Sequence, residues 1–196
     1  FCRPLHCQLL FLKEFGAYSS NMAFDPLSLA YHEAGHAIVA RHFGCELIDI
    51  FISLDDQCGG ATVTACGLNE WQKGLIALAG CAAEVLAGHA VADDPDRAWE
   101  YVKDASDAQQ AVGEITGLDI GDDGFRNAYD ALEVEAEELI RRPPIWSAIV
   151  ALAAVLAERH AITGATAMSI IDPILSGFAG HSQRASTPQP ELSDTA

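Results

Sequence analysis

The chain has 196 residues, half of them apolar, which suits one globular core with tails. Its 28 acidic residues face 11 basic ones, a formal charge of −17. Such a chain repels phosphate backbones and anionic membrane surfaces, so nucleic-acid binding is not expected. The three lysines, Lys13, Lys73 and Lys103, do not follow glycine, so no G-x-x-x-x-G-K-[ST] phosphate loop occurs.

Residues 1–21 hold a short apolar patch that Lys13 and Glu14 interrupt, which makes a poor secretory signal. They read as an N-terminal extension, with Met22 as a more ordinary start. Residues 22–180 read as the folded domain and 181–196, rich in Ser, Thr, Pro and Gln, as a disordered tail. No membrane span is expected: the longest strongly apolar stretch, 143–157, includes two prolines and falls short of the roughly 20 residues required. None of the six cysteines, Cys2, Cys7, Cys45, Cys58, Cys66 and Cys81, forms C-x-x-C. Cys45, Cys66 and Cys81, set among apolar or small residues, read as small buried hydrophobes in a reduced, cytoplasmic compartment.

In chain order, Asp25-Pro26 opens a helix, with Asp25 as cap and Pro26 in the first turn. Leu27, Ala30, Tyr31, Ala34 and Ile38 carry helical spacing as far as His42, and Gly44 suits a left-handed cap. The β-branched run 47–52 predicts a strand, 55–60 a turn and 61–65 a returning strand. Residues 71–87 predict a helix closed by Gly88. Asp94-Pro95 opens another through Val102, and the S-x-x-Q form at Ser106–Gln109 predicts a fresh helix from Asp107 to Ile115, before Gly117. An amphipathic helix over 125–142 is stopped by Pro143-Pro144, and an apolar helix covers 145–160. Thr163-Gly164 reads as a turn before a short helix at 165–171. The fold class is therefore mainly α (α+β), with a small β-hairpin or sheet after the first helix.

The chemistry is concentrated in His32-Glu33-Ala34-Gly35-His36, an H-E-x-x-H inside that first helix. Histidines four positions apart stand one turn apart and about 40° around the axis, so both imidazoles can meet one zinc ion. Glu33 is rotated by about 100° and lies beside the ion, where a carboxylate can take a proton from activated water. A catalytic zinc needs a third protein ligand. His42 occupies the third position of the longer H-E-x-x-H-x-x-G-x-x-H pattern, but Val39 replaces its glycine, and on a continuous helix His42 faces away. Glu100 to Asp104 matches a thermolysin-type E-x-x-x-D. The remaining candidates are Asp107, Asp104, Glu100, Glu84 and His89.

Residues 29–40 resemble the zinc helix of the FtsH family of ATP-dependent metallopeptidases. Ala79-Gly80-Cys81-Ala82-Ala83-Glu84 resembles that family's A-G-x-x-A-E helix, and Ser106-Asp107-Ala108-Gln109-Gln110-Ala111 its S/N-D-L-x-x-A segment. Residues 156–171 resemble its C-terminal helix–turn–helix, so the likeness runs over most of 22–177. The resemblance implies a zincin-like peptidase domain in which His32, His36 and Asp107 bind Zn2+ and Glu33 is the catalytic base. Asp104 is the fallback third ligand, and Glu84 a candidate to hold a zinc-binding histidine. Ala108 departs from the usual leucine, and the family's ATPase domain and membrane segments have no counterpart here.

The expected function is a zinc metalloendopeptidase without its own ATPase, acting on peptides or unfolded proteins. The scheme leaves room for a separate ATPase partner and for a homo-oligomer. The alternative is a non-catalytic zinc-binding adaptor derived from such a peptidase. Either strand, 47–52 or 61–65, is a candidate edge for pairing with an extended substrate.

Overall fold

The computed structural model describes residues 25–56, 58–89 and 98–182. The extension at 1–21, the Asp94-Pro95 helix start and most of the tail, 183–196, lie outside the described residues. Six helices and a three-stranded antiparallel sheet account for the described fold, which is mainly α with a small β component.

Helix α1, Pro26–His42, begins as its sequence dictates: the Asp25 side chain accepts from the Leu27 N–H and Pro26 occupies the first turn. Arg41 and His42 sit in its last turn, where positive charge suits the helix dipole, and Gly44 follows at φ +89°. Its buried residues, among them Leu29, Ala30, Ala34, Ala37, Ile38 and Val39, run around more than one face. That is the pattern of a central helix, and α1 packs against two helices as well as the sheet.

Strands β1, Leu47–Ser53, and β2, Cys58–Val63, form the hairpin. An irregularity between Leu47 and Asp49 shifts the phase of β1, so that Leu47, Ile50 and Ile52 all point inward although Ile48 and Asp49 are both exposed. The returning strand starts three residues earlier than the predicted 61. Gly59 and Gly60 belong to the ladder because neighbouring side chains, Glu33 and Phe51, fill the space a Cβ would take.

The third strand, β3 (Ala161–Thr163), pairs with β1 on its other side, giving the order β2-β1-β3. Three residues are too few to display alternation, and the sequence reads there as a turn. Gly164 follows with its α-carbon against the Leu47 carbonyl, where any Cβ would collide.

Helix α2, Glu70–Leu86, opens with a capping box between Asn69 and Gln72. Helix α3 runs unbroken over Ala98–Thr116, which corrects the fresh start expected at Asp107. Ser106 and Gln109 sit inside a continuous helix, because the buried stripe Asp104, Ala108, Ala111 and Val112 keeps one helical period through them. Helix α4, Asp123–Ile140, buries Leu132, Ala136, Leu139 and Ile140. Pro143-Pro144 do not merely stop it; they form the first turn of α5, Pro143–Arg159. His160 closes α5 in the left-handed region at φ 64°. Helix α6, Gly164–Ser182, is longer than the predicted 165–171 and carries Pro173 within it.

The reading of the cysteines also needs correction. Cys45, just after α1, and Cys66, between β2 and α2, are joined in a disulfide that closes the loop carrying the hairpin. Links of that kind persist in oxidising compartments, which removes the cysteine argument for a cytoplasmic location. No single helix among the described residues is long and apolar enough to cross a membrane.

Candidate metal centre

Helices α1 and α2 approach closely because both carry small residues where they cross. A Cβ on Gly35 would stand 2.4 Å from the Ala79 carbonyl oxygen. A Cβ on Gly80 would stand 2.7 Å from His36 Cε1 and 2.8 Å from His32 Nε2. The two glycines therefore create the space in which the imidazoles meet.

His32 Nε2 and His36 Nε2 are 3.0 Å apart. Asp104 Oδ2, reaching across from α3, lies 3.1 Å from the first and 3.4 Å from the second. Ligands about 2.0–2.1 Å from one tetrahedral centre stand about 3.3–3.4 Å from each other, so the three edges fit a single small cation. These three residues form a group that can hold a metal ion. His32 and Asp104 are buried, while the His36 side chain keeps 16% of its surface and opens the centre towards solvent.

The other ring nitrogens face groups behind the centre. His36 Nδ1–H donates to the Ile76 carbonyl at 2.6 Å, which leaves the neutral ring's lone pair on Nε2, facing Asp104. Glu84 Oε2 lies 3.6 Å from His32 Nδ1, and Glu84 Oε1 accepts from Ser28 Oγ at 3.0 Å. Glu84 is fully buried and stands behind His32.

The electrostatics follow from this packing. Burial disfavours a charged His32, but the surrounding carboxylates of Asp104, Glu84 and Glu33 outweigh it, holding the imidazole well above its ordinary pKa. His36 is raised too: burial opposes it, and the charge and hydrogen bond of Asp104 prevail. Asp104 moves the other way. Burial favours its neutral form, but the His36 charge and hydrogen bonds from both histidines hold it far below the usual carboxylate range. Two imidazole nitrogens and a carboxylate oxygen that meet at one point are a donor set that can hold a metal ion.

Glu33 is buried beside this group, packed against the Gly59 backbone of β2, and its charge acts on both histidines. From α4, Tyr129 looks toward the same region; burial first, then the charges of Glu133, Cys81 and Asp104, push its phenol up to about 12.

The carboxylate that meets the two imidazoles is Asp104, not the Asp107 that the resemblance implies as third ligand. Asp107 is exposed and pairs with Lys103 at 3.6 Å on the outer side of α3. A separation of three residues rotates it by about 60° from Asp104, off the buried stripe. That stripe was present in the sequence as Asp104, Ala108, Ala111 and Val112; breaking the helix at Ser106 concealed it. His42 is exposed beside Phe43, away from the centre. His89 pairs with Asp25 at 3.0 Å. The Glu100 side chain lies outside the described residues. Of the two candidate edge strands, β1 is central and β2 is at the edge. No family profile and no curated protein sequence matches this chain.

Proposed function

We propose that the chain is a zinc-dependent metalloendopeptidase that hydrolyses flexible or unfolded polypeptides. The convergence of His32 Nε2, His36 Nε2 and Asp104 Oδ2, with Glu33 buried alongside, is the observation that carries this reading. Two imidazoles and one carboxylate suit zinc, and three protein ligands with one open position are its catalytic rather than its structural arrangement. His32, His36 and Asp104 would hold the zinc ion, which would supply a Lewis acid for the substrate carbonyl and for a water whose pKa would fall to about 7.

The chain's own residues do the rest. Glu33 accepts the proton of the attacking water and delivers it to the leaving amine, so the peptide bond is exchanged for a carboxyl and an amine with no net proton change in the protein. Glu84, steadied by Ser28, and the Ile76 carbonyl keep the two rings facing Asp104. Strand β2 offers an edge on which an extended peptide can add as a further strand, and its Gly59 is the residue packed on Glu33. The resemblance of 29–40 to the FtsH zinc helix points the same way.

The test is Glu33→Gln. This variant should keep stoichiometric zinc by elemental analysis, yet cleave casein at least about 100-fold more slowly. Chelation should silence the wild-type chain and zinc should restore it. Wild-type turnover in Glu33→Gln, or activity that survives complete metal removal, would refute the peptidase assignment.

A further inference from the structure

Asp104 receives a second kind of contact that the chemistry above does not use. Cys81 follows Gly80 in α2, and its Sγ lies 3.6 Å from Asp104 Oδ2. This is the oxygen that faces both Nε2 atoms. The thiol is not a fourth ligand: it falls outside the group of donor atoms that all lie within 4.8 Å of one another. It therefore meets Asp104 from beside the centre rather than from within it. Nor is it the small buried hydrophobe expected from its apolar neighbours, since it is only half-buried and makes a polar contact.

The direction of this bond is fixed by chemistry. An ionised carboxylate only accepts, so the S–H donates. Among the described residues, Cys81 is the one hydrogen-bond donor on Asp104 besides the two histidines. When a metal occupies the centre, both Nε2 lone pairs turn to it and neither ring nitrogen has a proton to give Asp104. Among the described residues the thiol is then the donor that remains to aim Oδ2.

We propose that Cys81 is a positioning residue for the metal: its S–H holds Asp104 Oδ2 toward His32 and His36 and so sets the affinity of the centre. This rests on the metal-centre reading above. The experiment uses the full chain and its Cys81→Ala, Cys81→Ser and Asp104→Asn variants, with zinc affinity measured by competition against a chromophoric chelator. Loss of an outer partner of a metal ligand should weaken zinc about tenfold in Cys81→Ala, while Cys81→Ser, which keeps a donor, stays within about threefold of wild type. The metal-free melting temperatures should be the same for both.

Wild-type affinity in Cys81→Ala together with weakened binding in Asp104→Asn would overturn the role of Cys81 and leave the centre standing. Equal losses in the alanine and serine variants would overturn it too, since packing rather than a donor would then be at work. Unchanged affinity in Asp104→Asn would overturn the metal-centre reading itself. A measurement on the unmutated chain guards against a variant that fails to fold: loaded with Co2+, it should lack a sulfur-to-metal charge-transfer band. Such a band would make Cys81 a ligand and overturn the proposal.

Discussion

Asp104 and Asp107 differ by less than one helical turn, yet one is buried against two imidazoles and the other pairs with Lys103 in solvent. Substituting each by asparagine separates them. Asp104→Asn should lower zinc affinity by at least about tenfold, whereas Asp107→Asn should leave it unchanged, as read by chelator competition. The same residues set a pH dependence in the metal-free chain. His32 and His36 have folded pKa values raised above the unfolded one, so their contribution to stability is complete below about pH 6.5 and is lost as pH rises through the raised values. Asp104 has a depressed folded value, so its contribution is present above the ordinary carboxylate range and is lost only in strong acid. The melting temperature of chelated protein should therefore fall as pH rises past neutrality, and zinc, which replaces the proton between the rings, should abolish that fall. A metal-free melting temperature that is flat or rising from pH 6 to 9 would contradict the coupling of these three groups.

At the scale of elements, the centre depends on how closely α1 and α2 cross. Gly35 and Gly80 are needed there for space, not for unusual backbone angles. Gly35→Ala places a methyl against the Ala79 carbonyl and must push the helices apart, at a cost of about 1–3 kcal/mol. Because the histidines lie in that same crossing, the variant should lose zinc affinity as well as thermal stability; a stable Gly35→Ala with wild-type affinity would show that the crossing is softer than its geometry implies. The hairpin is held to this pair by the Cys45–Cys66 link at one end and by the Gly59–Glu33 contact at the other. The bidentate pair of Arg41 with Asp172, at 2.9 and 3.1 Å, ties the end of α1 to α6, but both partners are partly exposed, and such pairs contribute at most about 1 kcal/mol.

Across the whole molecule one core joins all six helices and the inner face of the sheet, while the acidic residues lie mostly outside it, densely along α4. A charge of −17 produces a field that draws cationic substrates and repels anionic ones. Cleavage of a Lys/Arg-rich unstructured peptide should thus be salt-sensitive, with kcat/KM falling by about tenfold between about 0.01 M and 1 M salt as screening shortens from about 30 Å to about 3 Å. An Asp/Glu-rich peptide should show the opposite trend. Identical salt responses would mean that charge near the centre, rather than the overall field, governs encounter.

What the chain determines by itself is local. The cap at Asp25-Pro26, the glycines that close α1 and α2, and the i, i+4 histidines act through neighbours a few positions apart, and each was legible in order. The 3.6-residue period also carried the stripe that selects Asp104, though a capping-box pattern at Ser106 masked it; buried continuity outweighs a weak cap, because packing supplies most of a helix's stability. Other features belong to the tertiary structure alone. Strand β3 exists only because β1 offers it an edge 110 residues away, Cys45 finds Cys66 across a hairpin, and Cys81 meets Asp104 across two packed helices. No local preference encodes these contacts, since each depends on where distant segments come to rest once the core has closed.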